Sequence, residues 1–103
     1  DFAPATADLS CGDLRLRLQD GTVELDGQSA ALTRNELRIL QVLLENRGRI
    51  VSRERLMQRL WETDSFVDEN TLTVNVTRLR KTLSSIGAEA LIVTKKGMGY
   101  LIP

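Results

Sequence analysis

The chain has 103 residues, which suffices for one domain with a buried core but not for two. Its 14 basic and 14 acidic side chains give a net charge of zero, which by itself argues against a nucleic-acid partner because such domains are commonly basic. One cysteine excludes an internal disulfide, and the lack of histidine excludes the common zinc ligand sets. We therefore predict no metal or cofactor. The hydrophobic segments are short and interrupted by charges, so we expect a soluble, cytoplasmic domain without membrane contact.

The first eight residues differ in composition from the rest of the chain. They are rich in alanine, contain Pro4, and do not begin with methionine. We interpret residues 1–8 as a linker from an upstream domain and residues 9–103 as the folded domain.

Short antiparallel strands are predicted for the first third of the domain. Apolar and polar residues alternate on both sides of Asp20-Gly21, which is a hairpin signature. A second turn at Asp26-Gly27 leads to "QSAAL". We expect three or four strands before residue 33, with "LSC" (residues 9–11) as the candidate first strand and Cys11 as a small apolar residue in it.

Two helices should follow the strands. "TRNE" (residues 33–36) is a capping box, in which the threonine and glutamate side chains each pair with the other residue's backbone N–H. The apolar pattern predicts a first helix over residues 33–47, with Gly48 ending it. Ser52 can cap a second helix that continues to residues 60–61.

The third helix is predicted to begin at Asp68 or Asn70 and to end at Gly87. Its core face is an apolar stripe formed by Leu72, Val76, Leu79 and Leu83. The other side carries polar, cationic and β-branched residues, namely Thr73, Val74, Asn75, Thr77, Arg78, Arg80 and Lys81. A solvated face would favour straight side chains, which keep more rotamer freedom in a helix. This composition instead suits contacts with phosphates, base edges and thymine methyl groups.

The C-terminal "LIVTKKGMGYLIP" predicts a β-hairpin with cations at its tip. Gly97 and Gly99 supply the positive φ angles that a tight turn needs. From Thr77 onward five cations face one acid, whereas "WETDSFVDEN" holds four acids and no base. Charge is therefore segregated along the chain. The order of the elements, three helices followed by a cationic hairpin, predicts a helix-turn-helix with a wing.

The chain resembles the DNA-binding effector domain of OmpR/PhoB-type bacterial response regulators. The matching segments are "LTRNELRILQVLLENRGRIVSRERLMQRLW", "VDENTLTVNVTRLRKTL" and "VTKKGMGY", and the resemblance covers residues 9–102. It implies an α+β fold, namely a winged helix-turn-helix with an N-terminal antiparallel β-sheet, three helices and a C-terminal β-hairpin wing.

The resemblance also implies roles for single residues. Arg78 would read bases in the major groove, with Val74 and Thr77 at base edges or thymine methyl groups. Residues assigned to the DNA backbone or its surroundings are Thr73, Asn75, Arg80, Lys81, Thr94, Lys95, Trp61 and, more weakly, Asn70. Lys96 would enter the minor groove from the wing. Tyr100 is expected in the core with its hydroxyl at the rim.

Several of these residues have simpler interpretations. Arg80 can be a surface cation that pairs with a nearby acid, and Trp61 can be a partly buried packing residue. The acidic loop, with Glu62, Asp64, Asp68 and Glu69, has the family's position for contact with RNA polymerase. It can equally be a solvated loop in which Asp68 caps the next helix.

The resemblance implies a receiver domain phosphorylated by a sensor histidine kinase, and a homodimer on a direct-repeat operator. Within the family, the segments resemble the branch that regulates envelope stress and antimicrobial-peptide resistance. The alternatives are a membrane-tethered transcriptional activator with the same module, or a protein-interaction module whose cations stay solvated. An enzyme is not expected, because the paired acids on the loop have no histidine, phosphate-binding glycine loop or nucleophile beside them.

Overall fold

The computed structural model describes residues 8–11, 13–63, 68–88 and 91–103, with only the backbone for residues 8, 11, 62 and 63. Its elements follow the order expected from the sequence. They are β1 (Asp8–Cys11), β2 (Leu14–Arg17), β3 (Thr22–Leu25), β4 (Gln28–Ala31), α1 (Arg34–Glu45), α2 (Arg53–Thr63), α3 (Glu69–Ser85), β5 (Val93–Lys95) and β6 (Gly99–Leu101).

Strands β1 to β4 form an antiparallel sheet in sequence order, so four strands are present where three or four were predicted. Leu16 and Val23 are cross-strand partners with no exposed surface, whereas the adjacent Arg15 and Glu24 pair lies on the outer face. This alternation gives the sheet one buried face. The β3–β4 turn has positive φ at both Asp26 and Gly27, which matches the tight hairpin turn predicted there.

The helix starts agree with the predicted caps. Both hydrogen bonds of the Thr33–Glu36 capping box are present, at 2.9 and 3.2 Å. Ser52 Oγ accepts from the backbone N–H of Arg55 at 3.1 Å, and Asp68 accepts from that of Thr71 at 2.8 Å.

The helix ends differ by a residue or two from the prediction. Helix α1 stops at Glu45 because Asn46 caps it, with its backbone and side-chain N–H groups bonded to the carbonyl of Val42. Gly48 has the expected positive φ but lies beyond the helix. Helix α2 continues to Thr63, and α3 ends at Ser85, two residues before Gly87.

The three helices and the sheet enclose one hydrophobic core. Each residue of the predicted α3 stripe is at most 2% exposed: Leu72, Val76, Leu79 and Leu83. Burial of a leucine side chain contributes about 1.5–3 kcal/mol, so this stripe fixes which face of α3 looks outward. No helix within the described residues has the length and apolar character needed to cross a membrane.

The C-terminal strands pair as an antiparallel hairpin, the wing, with Thr94 opposite Tyr100. The segment between α1 and α2 joins this hairpin, because Val51 forms a bridge to Tyr100. Tyr100 is 5% exposed, as expected for a core residue. The wing is thus attached to the chain that precedes the helix-turn-helix.

Candidate nucleic-acid interface

The outward face of α3 is exposed and free of acids. Thr73, Val74, Thr77, Arg78 and Lys81 all lie on it, and Val74 is 47% exposed although it is apolar. No hydrogen bond or ion pair joins the Arg78 or Lys81 side chain to any other part of the described chain. These two cations are therefore available to an external anion.

Two threonines on this face are partly engaged by the protein. Thr77 Oγ1 donates to the carbonyl of Thr73 at 2.9 Å, so it offers a methyl group and lone pairs outward. Thr73 Oγ1 accepts from the Arg53 guanidinium at 2.9 Å. Its hydroxyl hydrogen remains available as a donor.

Asn75 lies on the buried side of α3, so the prediction that it lies on the outward side is wrong. It is 7% exposed, and its side-chain amide donates to the carbonyl of Thr71 at 2.8 Å. The reason is its spacing: it follows Leu72 by three residues and precedes Leu79 by four, so it lies beside the core stripe. We do not retain it as a DNA contact.

Arg53, the first residue of α2, is a link between helices that the sequence did not reveal. Besides its bond to Thr73, its Nε lies 3.7 Å from Glu69 Oε2. The same Nε is buried and has no hydrogen-bond partner. Because its partners are 16 and 20 residues away in sequence, no local pattern could have indicated this contact.

Arg80 contacts the wing. Its guanidinium donates to the carbonyl of Ile92 at 3.3 Å and to Thr94 Oγ1, and it lies 5.8 Å from the centre of the Tyr100 ring. Among the described residues its partners are thus a carbonyl, a hydroxyl and an aromatic ring. No acid among the described residues pairs with Arg80, in contrast to the alternative interpretation of a surface ion pair.

The wing tip is exposed and cationic. Lys95 and Lys96 are exposed beside Gly97, whose φ of 75° permits the turn. The N–H of Met98 donates to the carbonyl of Lys95 at 2.8 Å and closes it. Arg80 fastens this hairpin to α3, the helix that also carries the exposed cations Arg78 and Lys81.

The remaining predicted contacts lie at the ends of α2 and α3. Trp61 is 58% exposed, which is more than its interpretation as a packing residue implies. Asn70 is exposed in the first turn of α3.

The acidic loop is described only at its C-terminal end. Asp64 and the side chain of Glu62 lie outside the described residues. Asp68 caps α3, and the N–H of Thr71 that it accepts from lowers the pKa of its carboxyl. Glu69 is exposed and close to Arg53.

A helix-turn-helix with a wing beside its third helix defines a winged-helix DNA-binding domain. The family model described as "Transcriptional regulatory protein, C terminal" matches residues 27–102. This chain belongs to that family, and the resemblance to OmpR/PhoB-type effector domains is confirmed.

Similar proteins support the same assignment. The sensory transduction protein BceR of Bacillus subtilis (strain 168) is 45% identical over 98 residues, which are 95% of this chain and 42% of BceR. The chain therefore spans less than half the length of that relative.

Two solved structures are also similar. The C-terminal domain of the nisin resistance regulator NsrR, a lantibiotic response regulator, is 41% identical with a TM-score of 0.82, over 91% of this chain and 95% of that one. The Klebsiella pneumoniae RstA DNA-binding domain in complex with the RstA box is 28% identical with a TM-score of 0.76. The similarity covers 92% of this chain and 95% of that one.

Proposed function

We propose that this chain binds specific sites on double-stranded DNA as the effector domain of a two-component response regulator. The observation that carries the proposal is the acid-free face of α3, whose cations Arg78 and Lys81 have no partner among the described residues. An unpaired cation beside exposed threonine and valine methyl groups suits a base edge and a thymine methyl group.

The contacts divide between the two grooves. A helix fits the major groove, so Arg78 would bind a guanine edge while Val74 and Thr77 contact bases. Lys81 would bind phosphate, and Thr73 can donate to phosphate with the hydroxyl hydrogen that Arg53 leaves free.

The wing and the helix ends would hold the flanking DNA. Lys96 would enter the minor groove, with Lys95 and Thr94 at phosphates beside it. Exposed Trp61 and Asn70 would contact the backbone near the α2–α3 connection.

Beyond this chain, we propose a receiver domain that a sensor histidine kinase phosphorylates, with the whole protein forming a homodimer on direct repeats. The greater length of BceR supports a further domain. We assign contact with RNA polymerase to the acidic loop, through Glu62, Asp64, Asp68 and Glu69. The identity to NsrR, named for nisin resistance, supports a role in resistance to antimicrobial peptides.

The test is selection of bound duplexes from a random DNA pool at moderate salt. The chain is run in parallel with Arg78→Ala and with Arg15→Ala, a matched loss of an exposed arginine on the outer face of the sheet. We expect enrichment of a short motif by the unaltered chain and by Arg15→Ala, and its loss with Arg78→Ala. Absence of enrichment, with no binding even at low salt, would instead indicate a protein-interaction module.

A further inference from the structure

We propose that Arg80 is a positioning residue, which fixes the wing against α3 and acts on DNA through Thr94 and the wing tip. The proposal rests on the proposed function and changes the role expected for Arg80, which was direct contact with phosphate. Arg80 would thereby hold the two DNA-binding elements, α3 and the wing tip, at a set separation.

The strand that leads to the wing tip needs an anchor. Within the described residues β5 pairs with β6 alone, and it is three residues long. The β6 strand is held on its other side by Val51, whereas the outer edge of β5 has no strand partner there. An isolated two-stranded hairpin is marginally stable in water.

Arg80 supplies this anchor. Its guanidinium donates to the carbonyl of Ile92 just before β5 and to Thr94 at the middle of β5. The same group lies over the ring of Tyr100, which is buried in β6. One planar, always-charged group thus holds both strands of the wing.

These contacts determine what Thr94 can offer to DNA. A threonine hydroxyl has one hydrogen and two lone pairs. Because a lone pair of Thr94 Oγ1 accepts from Arg80, its hydrogen is left to donate outward, where a phosphate oxygen can accept it. Arg80 thereby orients this donor while it sets the position of Lys95 and Lys96.

Two substitutions separate positioning from direct contact. Arg80→Met keeps most of the apolar stem and removes every donor. Arg80→Lys keeps the charge but lacks the planar guanidinium, whose Nη2 donates to both acceptors while the group lies over the Tyr100 ring. Lys81→Met is the matched control, because Lys81 is an exposed cation in the adjacent position of α3.

The first measurement is made without DNA. We expect amide relaxation to show lower order parameters at Gly97 and Met98 in both Arg80 variants, and unchanged ones in Lys81→Met. Circular dichroism verifies that α1 to α3 remain folded at the chosen temperature. Unchanged wing order in both Arg80 variants would overturn the proposal, whether or not the chain binds DNA.

The second measurement is affinity for the selected duplex, in the unaltered chain and in a Lys95→Ala/Lys96→Ala background. We expect both Arg80 variants to weaken binding about tenfold, or about 1.4 kcal/mol, and less than threefold in that background, because the wing contacts are already gone. Lys81→Met should weaken binding equally in the unaltered chain and in the Lys95→Ala/Lys96→Ala background.

A direct phosphate contact gives a different pattern. Arg80→Lys would then bind nearly as well as the unaltered chain, and Arg80→Met would have the same effect in both backgrounds. That result overturns the positioning role. Failure of the unaltered chain to bind any duplex would contradict the proposed function, while the wing-order measurement still decides the role of Arg80.

Discussion

The backbones of Val51 and Tyr100 exchange two hydrogen bonds, at 2.8 Å from Val51 to Tyr100 and 3.0 Å in return. The segment between α1 and α2 is therefore bridged to β6 at this pair of residues. A further bond of 2.6 Å joins the N–H of Gly48 to the carbonyl of Ile102. The wing and the helix-turn-helix are thus connected through main-chain contacts as well as through Arg80.

Gly99→Ala is expected to break this connection. A Cβ at Gly99 would lie 2.0 Å from the carbonyl oxygen of Val51, and its φ is +146°. The added atom must displace Val51 from β6, so we expect a loss of about 3 kcal/mol or more in the free energy of unfolding.

Gly97→Ala is the matched control, because its added Cβ would meet nothing within 4 Å. Its positive φ should cost about 1–2 kcal/mol. Urea unfolding of both variants compares the two losses, and equal losses would contradict the close approach at Val51.

Arg78→Ala is expected to cost about 1–3 kcal/mol at the selected site, the discrimination supplied by one bidentate base contact. The same substitution should change affinity for unrelated duplexes much less. Titration of labelled duplexes measures both. Arg15→Ala should leave both affinities unchanged, and an unaltered affinity of Arg78→Ala for its site would remove Arg78 from base reading.

Arg53→Met tests the link between α2 and α3. It removes the hydrogen bond to Thr73 and the ion pair with Glu69. We expect a loss of about 0.5–1.5 kcal/mol in the free energy of unfolding, since one hydrogen bond and a half-exposed ion pair are lost.

Arg55→Met is the control for Arg53, because it removes an exposed arginine in the same turn of α2. Its effect on the free energy of unfolding should stay within about 0.5 kcal/mol. Equal unfolding midpoints in urea for the two variants would show that Arg53 does not join the helices.

The cap of α3 should make stability depend on pH in acid. The folded-state pKa of Asp68 is lowered below its usual 3.8, chiefly by the hydrogen bond from the N–H of Thr71. The charged cap therefore stabilises the fold above pH 3.8, and this contribution is lost as the pH falls through the lowered pKa.

Asp68→Asn isolates this effect, because asparagine also caps helices but does not titrate in acid. Urea unfolding of both proteins at neutral pH and at several values below pH 3.8 gives the comparison. We expect the difference between the two free energies to change only in the acid range. A difference that is constant with pH would exclude Asp68 as a titrating cap.

The sequence predicted what depends on local pattern. The Thr33–Glu36 box, the Asp68 cap and the turn at Asp26-Gly27 are all present, because each involves residues within a few positions of one another. The buried face of α3 followed from a period of 3.6 residues.

Contacts between distant residues could not be predicted in the same way. The family resemblance assigns Arg80 to the DNA backbone and the sequence indicates no role for Arg53, but tertiary packing places Thr94 beside the first and Thr73 beside the second. Asn75 shows that a contact within one helix can also be missed. A polar side chain next to an apolar stripe is buried when the adjacent carbonyl of its own helix can accept its amide.

The engagement of Arg80 by the wing leaves one cation fewer for direct contact between one copy of this domain and DNA. The described parts of α3 and the wing tip then offer four exposed cations: Arg78, Lys81, Lys95 and Lys96. If all four displaced counterions from DNA, affinity would fall about 100-fold for a fourfold rise in salt. A single copy would then bind weakly at high salt, whereas two tethered copies would gain the high local concentration of each other's neighbouring site. In the proposed homodimer, pairing alone would therefore switch occupancy of the operator, with the surface proposed to read the bases left unchanged.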